Sequence, residues 1–449
     1  MRDLRRLSYL QRYEFPQAEL GAKTGSPFKK NSPQDDQAAM LVRSLRSLTW
    51  GNRNLISISP TIWVGKMKRR SFLQLSAVGG TVAAMGVAPS RLKATATNTE
   101  THFELTIEEC NVALIDGSEV YSLQFFRGFD NHSPELRVDE GEQITITVTN
   151  NDHYRPHSFV IYGVPNSYIS PMQPGETGTT TFTAPTGGSY MYLDGSMGPL
   201  NRLMGLHGAF IVEPSDQGRT PAGAETPYSL ADQNPQLQAL FDAFGNNERF
   251  PGSPWLGRDL DHEKLWLFSQ IDPSLNARMA AGESVDPRTI RDNFKPRYFT
   301  INGLSGFDTA NHHEEGNDLH DGRAGRIMPS GRQGDPCLLR TMNAGLANHA
   351  AHCHGNHPFE LSETDWQGNR HISDNIYEVD TWHLRPMQIR DMLLPFEKPS
   401  DIPDGAWPPV DEPFPLRYVM HCHFELSQTA GGGNYPQGAV THWEMTAPL

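Results

Sequence analysis

Two short histidine-rich segments constrain the fold of this chain more than any other feature. One is His349–Gly355, which reads H-A-A-H-C-H-G, and the other is the triplet His421-Cys422-His423. Side chains alternate between the two faces of an extended strand. In the triplet, His421 and His423 therefore project from one face, and Cys422 projects from the opposite face. One strand of this kind can supply side chains to two separate sites.

The residue types in these segments indicate a metal site. Imidazoles bind copper or zinc, and an imidazole combined with a thiolate is a ligand set that suits copper. The chain has eighteen His and four Cys, so this grouping is improbable by chance. We expect copper as the cofactor, with zinc as the alternative. The candidate metal ligands are His349, His352, His354, His421, Cys422 and His423, with His442 as a further candidate.

Over roughly residues 100 to 449 the chain resembles the multicopper oxidase family, blue-copper proteins built from cupredoxin β-sandwiches. The resemblance rests on the H-x-x-H-x-H-G and H-C-H segments. It implies that His349 and Cys422 bind a type 1 copper and are the catalytic pair. The four residues that it assigns to a trinuclear copper cluster are His352, His354, His421 and His423.

The same resemblance implies an oxidoreductase. Its expected chemistry is one-electron oxidation of a small substrate, namely a phenol, an amine or a low-valent metal ion. Electrons would pass from Cys422 to the flanking histidines and reduce dioxygen. The expected partners are therefore a small reducing substrate or metal ion and dioxygen.

The segment after Cys422 departs from the family pattern. Ser427 and Asn434 stand where the second type 1 histidine is expected, and Ala439 stands where the axial Met or Leu belongs. A trigonal type 1 site needs two imidazoles and a thiolate. We therefore keep His442 as a candidate replacement, because the intervening Gly-rich loop could bring it close to the thiol.

An internal repeat indicates two copies of one domain. Residues 157–163 align with residues 349–355, and residues 189–195 align with residues 417–423. In the first copy the ligand positions are occupied by Val160, Tyr162, Leu193, Asp194 and Gly195. We interpret His157 and His207 as structural. Because one chain supplies only four cluster histidines, dioxygen reduction at a full cluster would require a second protomer, that is, a homo-oligomer.

The predicted fold class is all-β, with two cupredoxin-like Greek-key β-sandwich domains. The chain contains 40 Gly and 34 Pro, and short alternating runs such as residues 143–149 lie between Pro/Gly turns, a pattern typical of sandwiches. The predicted domains are residues 95–215, which have lost their ligands, and residues 261–449, which bind the metal. A linker covers residues 216–260, with a short helix near residues 236–244.

The N-terminal region carries a predicted export signal. Residues 67–94 contain paired arginines, Arg69 and Arg70, followed by an apolar run from Leu75 to Ala88. This pattern is typical of a twin-arginine signal peptide, and the run is too short to span a membrane. We expect a periplasmic protein without stable membrane insertion. Residues 1–66 are interpreted as a non-native extension from a mistaken start codon, or as a disordered basic arm.

Charge and cysteine content limit the partners and the redox compartment. From residue 94 onward the chain has 22 Lys and Arg against 47 Asp and Glu, which leaves a net charge of −25. Such an acidic protein repels nucleic acid. Four cysteines fit an oxidising compartment. Cys110 and Cys337 could form a disulfide that joins the domains, and Cys353 is interpreted as a buried thiol.

Three other interpretations stay open from the sequence. The first is a non-enzymatic periplasmic protein that holds one copper or zinc ion on four imidazoles. The second is a structural protein without metal, which the clustered ligand residues disfavour. The third is a two-domain copper nitrite reductase, which is disfavoured because those proteins keep their type 1 Cys and His in the first domain.

Overall fold

The computed structural model describes residues 100–128, 133–214, 226–228, 235–243, 262–309, 326–407 and 413–448. These residues form twenty strands and four α-helices. The predicted signal peptide at residues 67–94 and the extension at residues 1–66 lie outside the described residues. None of the described helices is long and apolar enough to cross a membrane.

The first half of the described chain forms a sandwich of two sheets, with strand orders β2-β1-β4-β7 and β3-β9-β8-β5-β6. Its alternating sequence explains the two faces: Ile144, Ile146 and Val148 are buried, while the threonines between them face outward. The strands are β1 Glu100–Ala113, β2 Glu119–Phe126, β3 Leu136–Asp139, β4 Gln143–Asn150, β5 His157–Ile161, β6 Ile169–Met172, β7 Thr177–Thr183, β8 Gly188–Leu193 and β9 His207–Glu213.

The second half forms a similar sandwich, with strand orders β11-β10-β13-β18-β15-β16 and β12-β20-β19-β14-β17. Its core includes the stacked rings of Tyr418 and Trp443. The strands are β10 Glu263–Ile271, β11 Tyr298–Ile301, β12 Ser330–Gly331, β13 Cys337–Asn343, β14 His349–Cys353, β15 Phe359–Thr364, β16 Arg370–Ile372, β17 Thr381–Leu384, β18 Ile389–Leu394, β19 Leu416–Cys422 and β20 Val440–Met445.

Both sandwiches combine antiparallel neighbours with parallel pairs made by long connections. In the first sandwich β1 pairs with β4 and β3 with β9 in parallel, and in the second β10 pairs with β13 and β12 with β20 in parallel. Connections that cross between two packed sheets in this way are typical of Greek-key sandwiches. The predicted all-β class with two Greek-key sandwiches is confirmed.

The helices are short and lie at the margins of the sandwiches: α1 Leu200–Leu203, α2 Pro235–Ala243, α3 Pro273–Ala280 and α4 Ile290–Asn293. Helix α3 begins at Pro273, and the Asp272 side chain caps it by accepting hydrogen bonds from the backbone N–H groups of Ser274 and Leu275. Helix α2 lies where the linker was expected to contain a helix. Its Leu237 and Phe241 pack in one buried cluster with Leu338 of the second sandwich.

The two sandwiches pack against each other through an apolar layer and a buried ionic network. Met191 and Leu193 of β8 lie in one cluster with Leu265 and Leu267 of β10. Close by, the Arg340 guanidinium Nε donates to Glu263 at 3.0 Å, and Arg137 of β3 also pairs with Glu263. The cost of removing these charges from water is compensated, because opposite charges are paired and hydrogen-bonded.

The candidate disulfide between Cys110 and Cys337 is not present. Both residues are free cysteines. Cys337 is buried in the core of the second sandwich, whereas Cys110 lies on β1, where its Sγ contacts the Ser122 carbonyl oxygen. Each thiol is therefore enclosed by its own sandwich. Cys353 is a buried thiol as expected, and burial raises its pKa well above the usual value for cysteine.

Candidate metal centre

The two histidine segments fold as neighbouring antiparallel strands, β14 and β19. Their register places Ala351 opposite Cys422, His352 opposite His421, and Cys353 opposite Met420. Directly opposed side chains of an antiparallel pair share one face. His352 and His421 therefore lie side by side on the outer face, while Cys353 and Cys422 point into the sandwich.

Four imidazoles converge on this outer face. The His354 and His421 Nε2 atoms are 3.1 Å apart, and one nitrogen from each of His352, His421 and His423 lies within 4.8 Å of the others. The ring centroids of His352 and His423 are 4.5 Å apart, and those of His352 and His354 are 4.7 Å apart. The structure thus brings together the four histidines that the sequence predicted for the cluster.

The protonation of these rings suits a metal. Burial, followed by the neighbouring rings, lowers the pKa of His421 to about 4, and burial also lowers the pKa of His352 and His354. The rings of His352, His354 and His421 are therefore neutral at pH 7 and keep a lone pair. His352 donates its Nδ1–H to the Asp380 carbonyl oxygen at 2.8 Å, which leaves its Nε2 bare for a ligand bond.

One atom in the cluster has no partner. The Nδ1 atom of His421 is buried and makes no hydrogen bond among the described residues. Buried polar nitrogens are normally paired, so an orphaned one needs an explanation. A copper or zinc ion, which takes three or four imidazole nitrogens at about 2 Å, fits this donor set.

The inner face holds the pair that the resemblance assigned to type 1 copper. The His349 Nδ1 atom lies 3.3 Å from the Cys422 Sγ atom, and both side chains are buried. The Ala350 backbone N–H also donates to this Sγ at 3.3 Å. Burial raises the pKa of the Cys422 thiol, an effect that a hydrogen bond with Ser427 opposes.

Gln270, which the sequence did not single out, controls the tautomer of His349. Its Oε1 accepts the backbone N–H groups of Leu346 and Ala347 at 2.7 and 3.0 Å, so this atom must be the oxygen. The amide nitrogen of Gln270 then faces the His349 Nε2 atom at 2.6 Å and donates to it. Because burial lowers the pKa of His349 to about 3, the ring is neutral, and its single proton must sit on Nδ1.

This arrangement does not fit a type 1 copper. A proton on Nδ1 occupies the lone pair that would have to bind a metal beside the thiol. Ser427, which replaces the expected histidine, contacts the Cys422 thiol with a hydroxyl in place of an imidazole. Ala439 is buried beside this site, where its carbonyl oxygen accepts the Cys422 N–H at 3.1 Å and its methyl group offers no ligand.

The structure does not bring His442 or Asn434 to the thiol. Thr441 is the β20 residue opposite Met420, and His442 lies opposite Val419 on the outer face. Since Cys422 and Met420 share the inner face, His442 projects away from the thiol, and its Nε2 lies 3.4 Å from the Glu444 carboxylate. Asn434 forms an isolated bridge with Ala430 in the loop.

The first sandwich carries an equivalent site with different chemistry. Strands β5 and β8 pair Val160 with Leu193 and Ile161 with Tyr192, which matches the pairing of β14 with β19 under the repeat alignment. His157 then corresponds to His349, and Asp194 corresponds to Cys422. The His157 Nδ1 atom lies 2.7 Å from the Asp194 Oδ2 atom.

His157 is held between two carboxylates. Its Nε2 lies 2.7 Å from the Asp152 Oδ2 atom, and all three side chains are fully buried. Burial alone would lower the pKa of His157, but the hydrogen bonds to Asp152 and Asp194 raise it, and they hold the pKa of both carboxyls below the usual value. Both ring nitrogens donate, so His157 is a buried imidazolium with a structural role.

Comparisons with known proteins agree with this geometry. A family model described as multicopper oxidase matches residues 130–217, a stretch that includes β3 to β9 of the first sandwich. The multicopper oxidase VdtB of Byssochlamys spectabilis is 28% identical over 169 residues, which cover 32% of this chain and 24% of that protein. The chain thus matches only about a quarter of the length of this curated relative.

Solved structures share the fold. The blue copper oxidase from Nitrosomonas europaea has a TM-score of 0.53 at 19% identity, with 77% of this chain and 86% of that chain covered. The multicopper oxidase mgLAC has a TM-score of 0.51, also at 19% identity, with 78% and 86% covered. At these identities the likeness establishes the cupredoxin-like fold and nothing more.

Proposed function

We propose that this chain, which is similar to multicopper oxidases, is a copper-dependent oxidoreductase whose metal centre is the cluster of His352, His354, His421 and His423. The convergence of four imidazoles on one face carries the proposal: the Nε2 atoms of His354 and His421 are 3.1 Å apart, and one nitrogen from each of His352, His421 and His423 lies within 4.8 Å of the others. Copper bound there would exchange single electrons between a small reducing substrate and dioxygen. Phenols, amines and low-valent metal ions are the proposed substrate classes.

The protein residues at this site orient the ligands and leave the site open. The Asp380 carbonyl and the Thr381 hydroxyl, at 2.8 and 3.0 Å from the His352 Nδ1 atom, fix the orientation of that ring. His354 and His423 are exposed. A small molecule can therefore approach the cluster directly from solvent. The proposed function involves no electron transfer through His349 and Cys422, because these residues do not fit a type 1 copper.

The proposal is tested by elemental analysis and by oxygen uptake with a phenol or ferrous ion. Replacing all four cluster histidines with Ala should remove the copper and the oxygen uptake together. The exposed His371 in the same sandwich provides the matched control, since His371→Ala should retain both. Unchanged copper content in the fourfold variant would refute the site, and copper retention without oxygen uptake in the native chain would refute the oxidase activity.

A non-enzymatic copper or zinc binder is the second candidate. The observation that favours it is the inner face, where Gln270 and Ser427 leave Cys422 without a usable type 1 ligand set. This candidate predicts one metal ion per chain, no strong absorption from a copper thiolate bond, and no turnover. Metal analysis with visible spectroscopy distinguishes it from the oxidoreductase, because turnover is required only by the latter.

We further propose that full reduction of dioxygen, if the chain uses a three-copper cluster, needs a second protomer. One chain contributes four cluster histidines, and the equivalent positions of the first sandwich carry Val160, Tyr162, Leu193 and Gly195. A two-fold arrangement would place a second set of four opposite the first. Copper stoichiometry measured together with molar mass in solution tests this. A monomer that reduces dioxygen during phenol oxidation would exclude the two-protomer cluster.

Export to the periplasm by the twin-arginine route is proposed from residues 67–94. Lysine does not replace arginine where a planar guanidinium is recognised. Changing Arg69→Lys together with Arg70→Lys should therefore keep the protein in the cytoplasm, as seen by cell fractionation. Normal delivery of this double variant, or a mature N-terminus far upstream of Ala94, would contradict the proposal.

A further inference from the structure

A cavity of about 190 Å³ lies between the two sandwiches and is separate from the histidine cluster. It is lined by β2 and α1 of the first sandwich and by β10 of the second. Apolar walls are contributed by Val112, Leu203 and Leu267. For scale, a dry cavity of about 150 Å³ can hold a benzene ring. The cavity is therefore large enough for a molecule with one ring and small polar substituents.

Arg202 brings an unpaired positive charge to this cavity. The residue is 6% exposed. Glu135, the carboxylate in the cavity lining, is paired with other arginines, and Arg202 makes no ion pair among the described residues. Its Nη1 donates to the carbonyl oxygens of Ala344 and Gly345, while its Nε–H and Nη2–H groups make no hydrogen bond within the described part of the chain. Burial lowers the pKa of Arg202 to about 10, so the guanidinium is still charged at pH 7.

Two residues that line the same cavity carry buried acceptor atoms without donors. The Asn276 side chain is 2% exposed, and its Oδ1 has no hydrogen-bond partner among the described residues, nor does the Oε1 of Gln124. His207 donates its Nδ1–H to the Arg202 carbonyl oxygen at 2.8 Å, and burial lowers its pKa to about 4. Its Nε2 is therefore a bare acceptor. Buried polar groups are normally satisfied, so this combination is costly unless a ligand or water completes it.

We propose that this cavity binds a small hydroxy-substituted aromatic carboxylate. Its carboxylate would pair with the free N–H groups of Arg202, since guanidinium and carboxylate have matching geometries. A hydroxyl at the other end of the molecule would donate to the acceptors of Asn276, Gln124 or His207. The apolar walls would contact the ring. A neutral analogue lacks the charge that Arg202 requires.

The cavity also borders the inner face of the second sandwich. Gln270 lines the cavity and donates to His349. The backbone of residues 344–347 is held from two sides: Arg202 donates to its carbonyl oxygens, and Gln270 accepts from its N–H groups. Binding at this site needs no copper. The proposal is therefore independent of the metal centre, and binding can be measured without enzymatic turnover.

The test compares 4-hydroxybenzoate with its neutral isostere 4-hydroxybenzamide by isothermal titration calorimetry on the purified protein. We expect the carboxylate to bind at least about tenfold more tightly, as a buried charged hydrogen bond implies. Arg202→Gln, which keeps N–H donors but removes the charge, should abolish this preference. Arg288→Gln is the matched control, because Arg288 is 89% exposed and lies away from the cavity.

A second variant keeps the test decisive if Arg202→Gln fails to fold. Gln124→Glu is isosteric and places a negative charge at the cavity wall, so it should weaken the binding of the carboxylate more than that of the amide. Thermal unfolding checks that each variant is folded. The proposal is overturned if neither compound saturates below about 10 mM, if both bind equally to the native protein, or if a folded cavity variant keeps the native preference.

Discussion

The two sandwiches use the same strand pair and the same register to build opposite kinds of site. In the first, a buried His157 lies between Asp152 and Asp194 and is charged. In the second, the equivalent His349 lies between Gln270 and Cys422 and is neutral. The repeat therefore preserves the position of the imidazole, and its charge is set by the groups at its two nitrogens.

The outer faces of the same strands differ in what covers them. Leu193 of the first sandwich is buried against Leu265 and Leu267 of the second. Its equivalent, His421, lies on a face where Val419 is 47% exposed. Apolar side chains occupy the covered face because an unpaired imidazole there would lose its hydration. Ligand-type histidines occur on the face that solvent and small molecules can reach.

The largest expected effect is on stability: replacing the charged His157 should destabilise the protein more than replacing the neutral His349. His157→Gln removes the cation between two buried carboxylates, of which only Asp152 keeps another cationic partner among the described residues, Arg155 at 3.5 Å, and should lower the free energy of unfolding by about 3–5 kcal/mol. His349→Gln removes a neutral ring and should cost about 1–2 kcal/mol. Denaturant unfolding of the two variants beside the native chain measures both. Equal losses would show that the His157 triad is not an ion network.

The pH dependence of these two sites should have opposite signs. The pKa of His349 in the folded chain is about 3, below its unfolded value of about 6.5. The contribution of His349 to the free energy of unfolding is present above pH 6.5. It is lost as the pH falls, by about 2 kcal/mol between pH 7 and pH 5. The pKa of His157 is raised, so its contribution is complete below about pH 6.5 and is lost as the pH rises through the raised pKa.

The difference in unfolding free energy between the native chain and each Gln variant reports these contributions. Between pH 7 and pH 5 it should shrink for His349→Gln, and it should hold or grow for His157→Gln. A difference that shrinks equally for both variants would contradict the assigned charges.

Two substitutions should give the second sandwich a type 1 ligand set. The first gives the His349 Nε2 a carboxylate acceptor, as Asp152 does for the Nε2 of His157. Gln270→Glu can accept the Nε2–H of His349, which frees Nδ1, and Ser427→His restores an imidazole beside the thiol. We expect the double variant to bind copper with a thiolate absorption band about tenfold more tightly than Ser427→His alone, or about 1.4 kcal/mol. Copper titration followed by visible absorption measures this. Equal affinities would mean that Gln270 does not control the tautomer.

The smallest expected effect concerns the residue after each histidine. The Ser158 hydroxyl donates to the Asp194 Oδ1 atom at 2.8 Å, whereas the equivalent Ala350 offers only its backbone N–H to Cys422. Ser158→Ala should cost about 1 kcal/mol. Ala350→Ser should be close to neutral, because the Cys422 thiol carries no charge to be satisfied. Chemical denaturation of the two variants measures both changes in unfolding free energy. A larger loss of stability for Ala350→Ser than for Ser158→Ala would contradict the prediction.

The amino-acid sequence was sufficient to predict the strands, the repeat and the face that carries four histidines. Period-two alternation leaves one geometry for His421, Cys422 and His423, and the alignment of the two halves fixed which residues correspond. The register of β5 with β8 and of β14 with β19 confirms that alignment. These inferences succeeded because they depend on local backbone geometry.

The chemistry of the two inner sites depends on long-range contacts that the sequence pattern does not reveal. Gln270 reaches His349 from a strand 79 residues away in sequence, and the face that His442 occupies depends on the pairing of β20 with β19. Asp152 is close in sequence to His157, but its role requires Asp194 on the other side of the ring. Long-range pairing sets which hydrogen-bond donor or acceptor meets each ring nitrogen. That contact, which no local pattern encodes, decides whether an imidazole is a cation, a neutral donor or a metal ligand.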